Sequence, residues 1–131
     1  MRSIARTVYV VAAWLFVAGL VVQVFLAGLG VFDSPTSFAT HRDVGYALEI
    51  FPVVLLVVGL LGGMGRRLAV LAIVAFGLFI LQSVFVLLRE SAPQVAALHP
   101  VNGFVILLTA IYMAREATMM RTATPSGANP A

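Results

Sequence analysis

Two histidines, two glycines and two glutamines recur in this chain at nearly constant register. His41 and Gly45 stand four residues apart, as do His99 and Gly103, and each pair opens an apolar stretch. Gln23 precedes His41 by 18 residues and Gln82 precedes His99 by 17. The recurrence reads as a duplicated two-helix unit. Two such units related by a pseudo-two-fold axis would bring two imidazoles towards each other from facing helices, the arrangement that clamps a haem iron from both sides. His41 and His99 are therefore the candidate metal ligands. Residues four apart share a helix face, so Gly45 and Gly103 are expected to leave room for a flat macrocycle beside each histidine.

The donor count narrows the choice of metal. Two histidines are too few for a closed tetrahedral site, and Asp43, two residues past His41, faces elsewhere on a helix. Axial ligation of a b-type haem needs two imidazoles and no more. The absence of cysteine excludes thiolate metal sites, disulfides, thioether-attached haem and a cysteine nucleophile. Gln23 and Gln82 are expected to bond across helices or to a buried cofactor. Arg42, like Arg89, stands where a guanidinium would pair with haem propionates or lipid phosphate. Glu49 lies eight residues past His41, about 80° around a helix and about 12 Å deeper. An intramembrane carboxylate is a functional candidate, and Gln23 or Gln82 is its expected partner. The second half has Leu107 at the matching place, so Glu49 falls outside the duplicated pattern.

The elements that must position these residues follow from composition. At 62% hydrophobic and 10% charged, with a mean hydropathy of +1.09, the chain has too little polar surface for a soluble globule. Four apolar runs near the roughly 20 residues needed to span a bilayer extend from Thr7 to Phe32, Phe38 to Gly63, Leu68 to Leu88 and Val95 to Ala114. Backbone groups in hydrocarbon must be satisfied within the segment, so each run is a helix. The expected fold is all-α, an integral membrane up-down four-helix bundle over 1–117. A polar, small-residue stretch over 118–131 is expected to be a disordered cytoplasmic tail.

Arginine sets the orientation, since the chain has no lysine. Arg2, Arg6, Arg66, Arg67, Arg115 and Arg121 fall on one side of the spans, and Arg42 and Arg89 on the other. That bias predicts both termini in the cytoplasm and both histidines near the outer face of a bacterial inner membrane. The net charge of +3 then reports topology and contact with anionic lipid, with no nucleic-acid partner implied.

The connections refine the histidine positions. Ser34, Pro35 and Thr36 have capping chemistry, so the second helix is expected to begin several residues before His41. Pro100 follows His99 directly, so a helical or turn-like lead-in from about Val95 is needed if the last run is to span. Pro52 should kink the second helix just past Glu49. Gly62 to Arg67 form a short hairpin that makes the second and third helices antiparallel neighbours. Tyr9, Trp14 and Tyr112 are expected in an interfacial belt.

The stretch from Gln23 to Phe32, then His41-Arg-Asp-Val-Gly45, then Leu98-His-Pro-Val-Asn-Gly103, resembles a family of small four-span bacterial membrane proteins known only as a domain of unknown function. That resemblance implies a fold without an activity. The segment from His41 to Gly45 is also similar, more loosely, to a haem-histidine segment of haem A synthase, whose duplicated four-helix units hold haem through histidines near helix ends. This chain has one bundle where that family has two. It also has Ser37 and Phe38 where that family carries a glutamate, so the similarity implies haem holding without haem A synthesis.

The expected function is single-electron transfer between a membrane quinol and a redox partner protein, or haem handling. Electron transfer across the whole membrane would need such a partner or a homo-oligomer. The alternative expectation is a non-catalytic membrane subunit or assembly factor whose histidines are interfacial caps. A small proton-coupled transporter built on Glu49 is a third.

Overall fold

Proline and glycine divide the apolar sequence into its elements. The computed structural model describes residues 1–122, and every element among them is helical: α1 (Arg2–Phe32), α2 (Ser37–Leu48), α3 (Ile50–Gly62), α4 (Arg66–Leu87), α5 (Pro93–Ala96) and α6 (Leu98–Thr122). Helices α2 and α3 form one span broken at Glu49. Pro52 explains the break, because its ring has no N–H to offer the carbonyl of Leu48 and clashes with it. Gly63 ends α3 in the left-handed conformation at φ 61°, with its N–H and that of Met64 closing on Gly59 and Leu60. Gly65, at φ 87°, completes the hairpin that turns the chain into α4.

Four helical stretches are long and apolar enough to cross a membrane: Arg2–Phe32, Ser37–Gly62, Arg66–Leu87 and Pro93–Arg121. The protein is a multi-pass membrane protein with an all-helical fold. Ser37 starts α2 four residues before His41, as the turn chemistry predicts, although the capping differs in detail. Ser34 Oγ accepts from the N–H of Thr36 at 3.4 Å and shares a hydroxyl bond with Thr36 Oγ1 at 2.8 Å, while Thr36 makes no side-chain cap. Pro100 falls in the first turn of α6, where a missing N–H is harmless, and α5 supplies the lead-in. The last helix runs past the expected boundary at 117 to Thr122, and Ala117 is buried in the bundle. The remainder of the expected tail lies outside the described residues.

Packing links α1 to α2, α3 and α6, and α4 to α3, α5 and α6; no Cα of α2 lies within 8 Å of one in α4 or α6. The spans therefore form a ring in which α2 and α6 are diagonal. Without a hydrophobic drive between helices in lipid, close packing of small and aromatic residues must hold them. Ala110, Ala114 and Ala117 make a small-residue stripe on α6 at helical spacing, and Ala13 is buried on α1. Phe16 stacks on Phe51 with ring centres 5.5 Å apart and meets Phe79 at 5.9 Å. Tyr9, expected in an interfacial belt, is instead 0% exposed, its ring against Gly59. The absence of a side chain at Gly59 opens a place there that an interfacial ring would not need.

The core lies mostly away from the histidines, although Phe85 and Asn102 are buried at their end. On α1 the buried apolar residues run from Tyr9 to Leu20, and beyond them only Gly30 is buried; on α2 only Leu48 is. The other end, which carries the histidines, is looser.

Candidate functional site

At the histidine end each imidazole is tied to the helix beside it. His41 Nδ1 lies 3.1 Å from the carbonyl oxygen of Gln23, and His99 Nδ1 lies 3.3 Å from that of Gln82. A carbonyl only accepts, so Nδ1 carries the proton in both rings. That leaves the Nε2 lone pair as the unused donor of each. The residues that recur in the sequence thus meet in space: Gln23 with His41 and Gln82 with His99, each across a helix pair.

The rings also approach each other. Their centres are 6.3 Å apart with planes inclined by 60°, although the backbones of α2 and α6 do not touch. Side chains alone bridge the diagonal. The Phe38 ring stands perpendicular to that of His41, with centres 6.4 Å apart.

Gly45 and Gly103 play a different part from the one expected. A Cβ at Gly45 would lie 2.8 Å from Gln23 Nε2, and one at Gly103 would lie 3.4 Å from Gln82 Nε2. The space above each glycine is taken by a glutamine amide, not kept for a macrocycle. A glycine four residues past a histidine therefore lets the neighbouring helix's glutamine lie against the backbone. The same carbonyl-bearing residue holds the imidazole.

The two halves differ in how the glutamine amide is satisfied. Gln23 Nε2 donates to the carbonyl oxygen of His41 at 2.9 Å, while its Oε1 is buried with no partner. Gln82 Oε1 accepts instead from Asn102 Nδ2, which also donates to the carbonyl of Leu78 at 2.9 Å. Asn102 is only 6% exposed and is the one buried polar residue of the described core. Its spacing of three from His99, on the same helix face, was the available signal.

Three other candidates make no contact with the imidazoles. Arg42 is exposed and donates to its neighbour Asp43 at 3.1 Å, and Arg89 likewise meets Glu90 at 3.4 Å, so neither reaches the imidazoles. Glu49 sits half-buried at the junction of α2 and α3, and neither glutamine is its partner: the Gln23 amide donates to the carbonyl of His41 and the Gln82 amide accepts from Asn102. No group of three or more His, Cys, Asp or Glu able to hold a metal occurs among the described residues. The site offers two nitrogens only.

Four membrane-spanning helices with a facing pair of backbone-anchored histidines define the class: a small multi-pass bundle with a two-imidazole site near one end. Within that class, the chain belongs to a family of unknown function (DUF6220), whose family model matches residues 23–89. The match begins at Gln23 and takes in His41, Gly45 and Gln82. No curated protein and no solved structure matches the chain, so the looser similarity to haem A synthase finds no support there.

Proposed function

We propose that the protein holds one b-type haem between His41 and His99 and serves single-electron transfer or haem handling. The separation of the rings carries this reading. With a metal–nitrogen bond of about 2.0 Å and about 1.1 Å from nitrogen to ring centre, two imidazoles sharing one ion in line have centres about 6.2 Å apart. A direct hydrogen bond between the rings would bring the centres to about 5 Å. The observed 6.3 Å accommodates the first arrangement, as it does edge-to-face packing of two rings with no ion between them.

The anchoring supports the same reading. A ligating histidine commonly donates its second ring N–H to a carbonyl, which fixes the tautomer and raises the basicity of the ligating nitrogen. Gln23 and Gln82 supply those carbonyls. The two protein nitrogens complete an iron that already has four pyrrole nitrogens, so the lack of further protein ligands is what such a centre requires. The loose packing at the histidine end and the separation of α2 from α4 leave a side on which a macrocycle would lie. Bound haem would supply one-electron chemistry. His41 and His99 would be the residues that hold it.

The environment proposed is a bacterial inner membrane with both termini cytoplasmic, on the arginine bias. The partners proposed are a membrane quinol or a redox partner protein, with a homo-oligomer as the other route for electrons across the bilayer. An oxidised and reduced visible spectrum of detergent-purified protein, with a pyridine haemochrome for stoichiometry, tests the reading. A sharp reduced α-band at one haem per chain is expected.

A second reading, a non-catalytic subunit or assembly factor, draws on the reciprocal bonds between Gln23 and His41. Two bonds across one helix pair clamp α1 to α2 with no cofactor. On that reading the spectrum is featureless and the histidines act only as struts.

A further inference from the structure

The opposite end of the bundle carries six arginines, and three of them converge. Antiparallel packing of α1 and α6 places the start of one beside the end of the other, so Arg2, Ser3, Arg6 and Arg121 line one cavity of about 350 Å³. Arg6 is fixed there, its Nε donating to the carbonyl of Gly62 at 3.0 Å while its stem packs against Gly62. Arg67, by contrast, is turned away over the Tyr112 ring at 4.9 Å.

Among the described residues, no acidic side chain forms an ion pair with the three. The ion pairs among the described residues are Arg42 with Asp43 and Arg89 with Glu90, both at the histidine end. Glu116, the acidic residue nearest this end in sequence, accepts from Tyr112 and lines a different groove. Three guanidiniums around one cavity repel one another unless an anion enters. Guanidinium forks match the oxygens of a phosphate in geometry and charge.

We propose that Arg2, Arg6 and Arg121 form a binding site for the phosphate of an anionic phospholipid headgroup. The chemistry recognised is a phosphate oxyanion. Its source is lipid because the site lies at the end of four membrane-crossing helices, at the level where headgroups stand. The site is independent of any cofactor at the histidines.

Native mass spectrometry of the detergent-purified full chain tests this directly, with phosphatidylglycerol, phosphatidylcholine and inorganic phosphate as separate probes. The wild type is expected to retain one phosphatidylglycerol in preference to phosphatidylcholine. Each of Arg2→Ala and Arg121→Ala should weaken that retention by about fivefold. Arg66→Ala, a charge removed outside the cavity, should leave it within about twofold. Arg2 and Arg121 are exposed, so the variants keep the fold, which far-ultraviolet circular dichroism checks. Equal retention of the two lipids overturns the proposal, as does an equal effect of Arg66→Ala. Binding of inorganic phosphate without any lipid preference overturns the assignment to lipid.

Discussion

Asn102→Val tests the polar end of the bundle most sharply, because it makes the second half resemble the first, where Val44 stands at the matching place. Asn102 is 6% exposed and donates to two acceptors. The carbonyl of Leu78 lies inside α4 and keeps its helical N–H, so the loss falls on Gln82 Oε1. An interhelical bond between side chains in a membrane bundle contributes about 0.6 kcal/mol on average and about 1.7 at most. Leaving a buried acceptor unsatisfied costs about 1–3 kcal/mol. Valine fills nearly the same volume, so little cavity term arises. The expected destabilisation is about 1–2 kcal/mol. Reversible unfolding in mixed micelles with increasing SDS, followed by circular dichroism, measures it. In a Gln82→Leu background the acceptor is gone, and the cost of Asn102→Val should fall below about 0.5 kcal/mol. Equal costs in the two backgrounds, or no cost in either, would refute the account of this pair.

Other perturbations follow from the same contacts. Gly45→Ala pushes a Cβ to 2.8 Å from Gln23 Nε2 and breaks its bond to His41, whereas Gly103→Ala meets Gln82 Nε2 at an easier 3.4 Å. Helix propensity favours alanine by about 1 kcal/mol in both, so unfolding should find Gly103→Ala more stable than wild type and Gly45→Ala less stable than Gly103→Ala. Val44 stands three residues past His41, as Asn102 does past His99, so Val44→Asn should satisfy the orphaned Gln23 Oε1 and raise stability by about 1 kcal/mol in the same unfolding assay. Tyr9→Phe removes a buried hydroxyl that has no partner and should also stabilise by about 1 kcal/mol, read as a higher midpoint.

Much of this arrangement was legible before any coordinates, and the reasons differ by level. Span number and type followed from hydropathy because lipid leaves a backbone no alternative to the helix. The break at Glu49 was announced by Pro52, and the hairpin by Gly63 and Gly65. The repeated spacing set Gln23 beside His41 and Gln82 beside His99 as a pattern, but the partners expected for the glutamines were Glu49 or a cofactor, and the bonds to the histidines emerge only from the geometry. What occupies the space over Gly45 and Gly103 was not legible. A missing side chain leaves a gap, but a sequence does not name its filler, and the filler is a glutamine from the next helix. Tyr9 was misplaced for a related reason: its depth depends on Gly59, fifty residues away, receiving its ring. Asn102 and the orphaned Gln23 Oε1 mark where the two halves diverge, which only side-chain geometry reveals.

The central claim rests on two imidazoles sharing one iron. The most direct measurement is the reduced visible spectrum and haem content of wild type beside His41→Ala, His99→Ala and Glu49→Gln, each purified after expression with ample haem. One haem per chain in wild type and Glu49→Gln, with the low-spin spectrum lost in both histidine variants, is the predicted result. A wild type without absorbance, or full low-spin haem in His99→Ala, would contradict it.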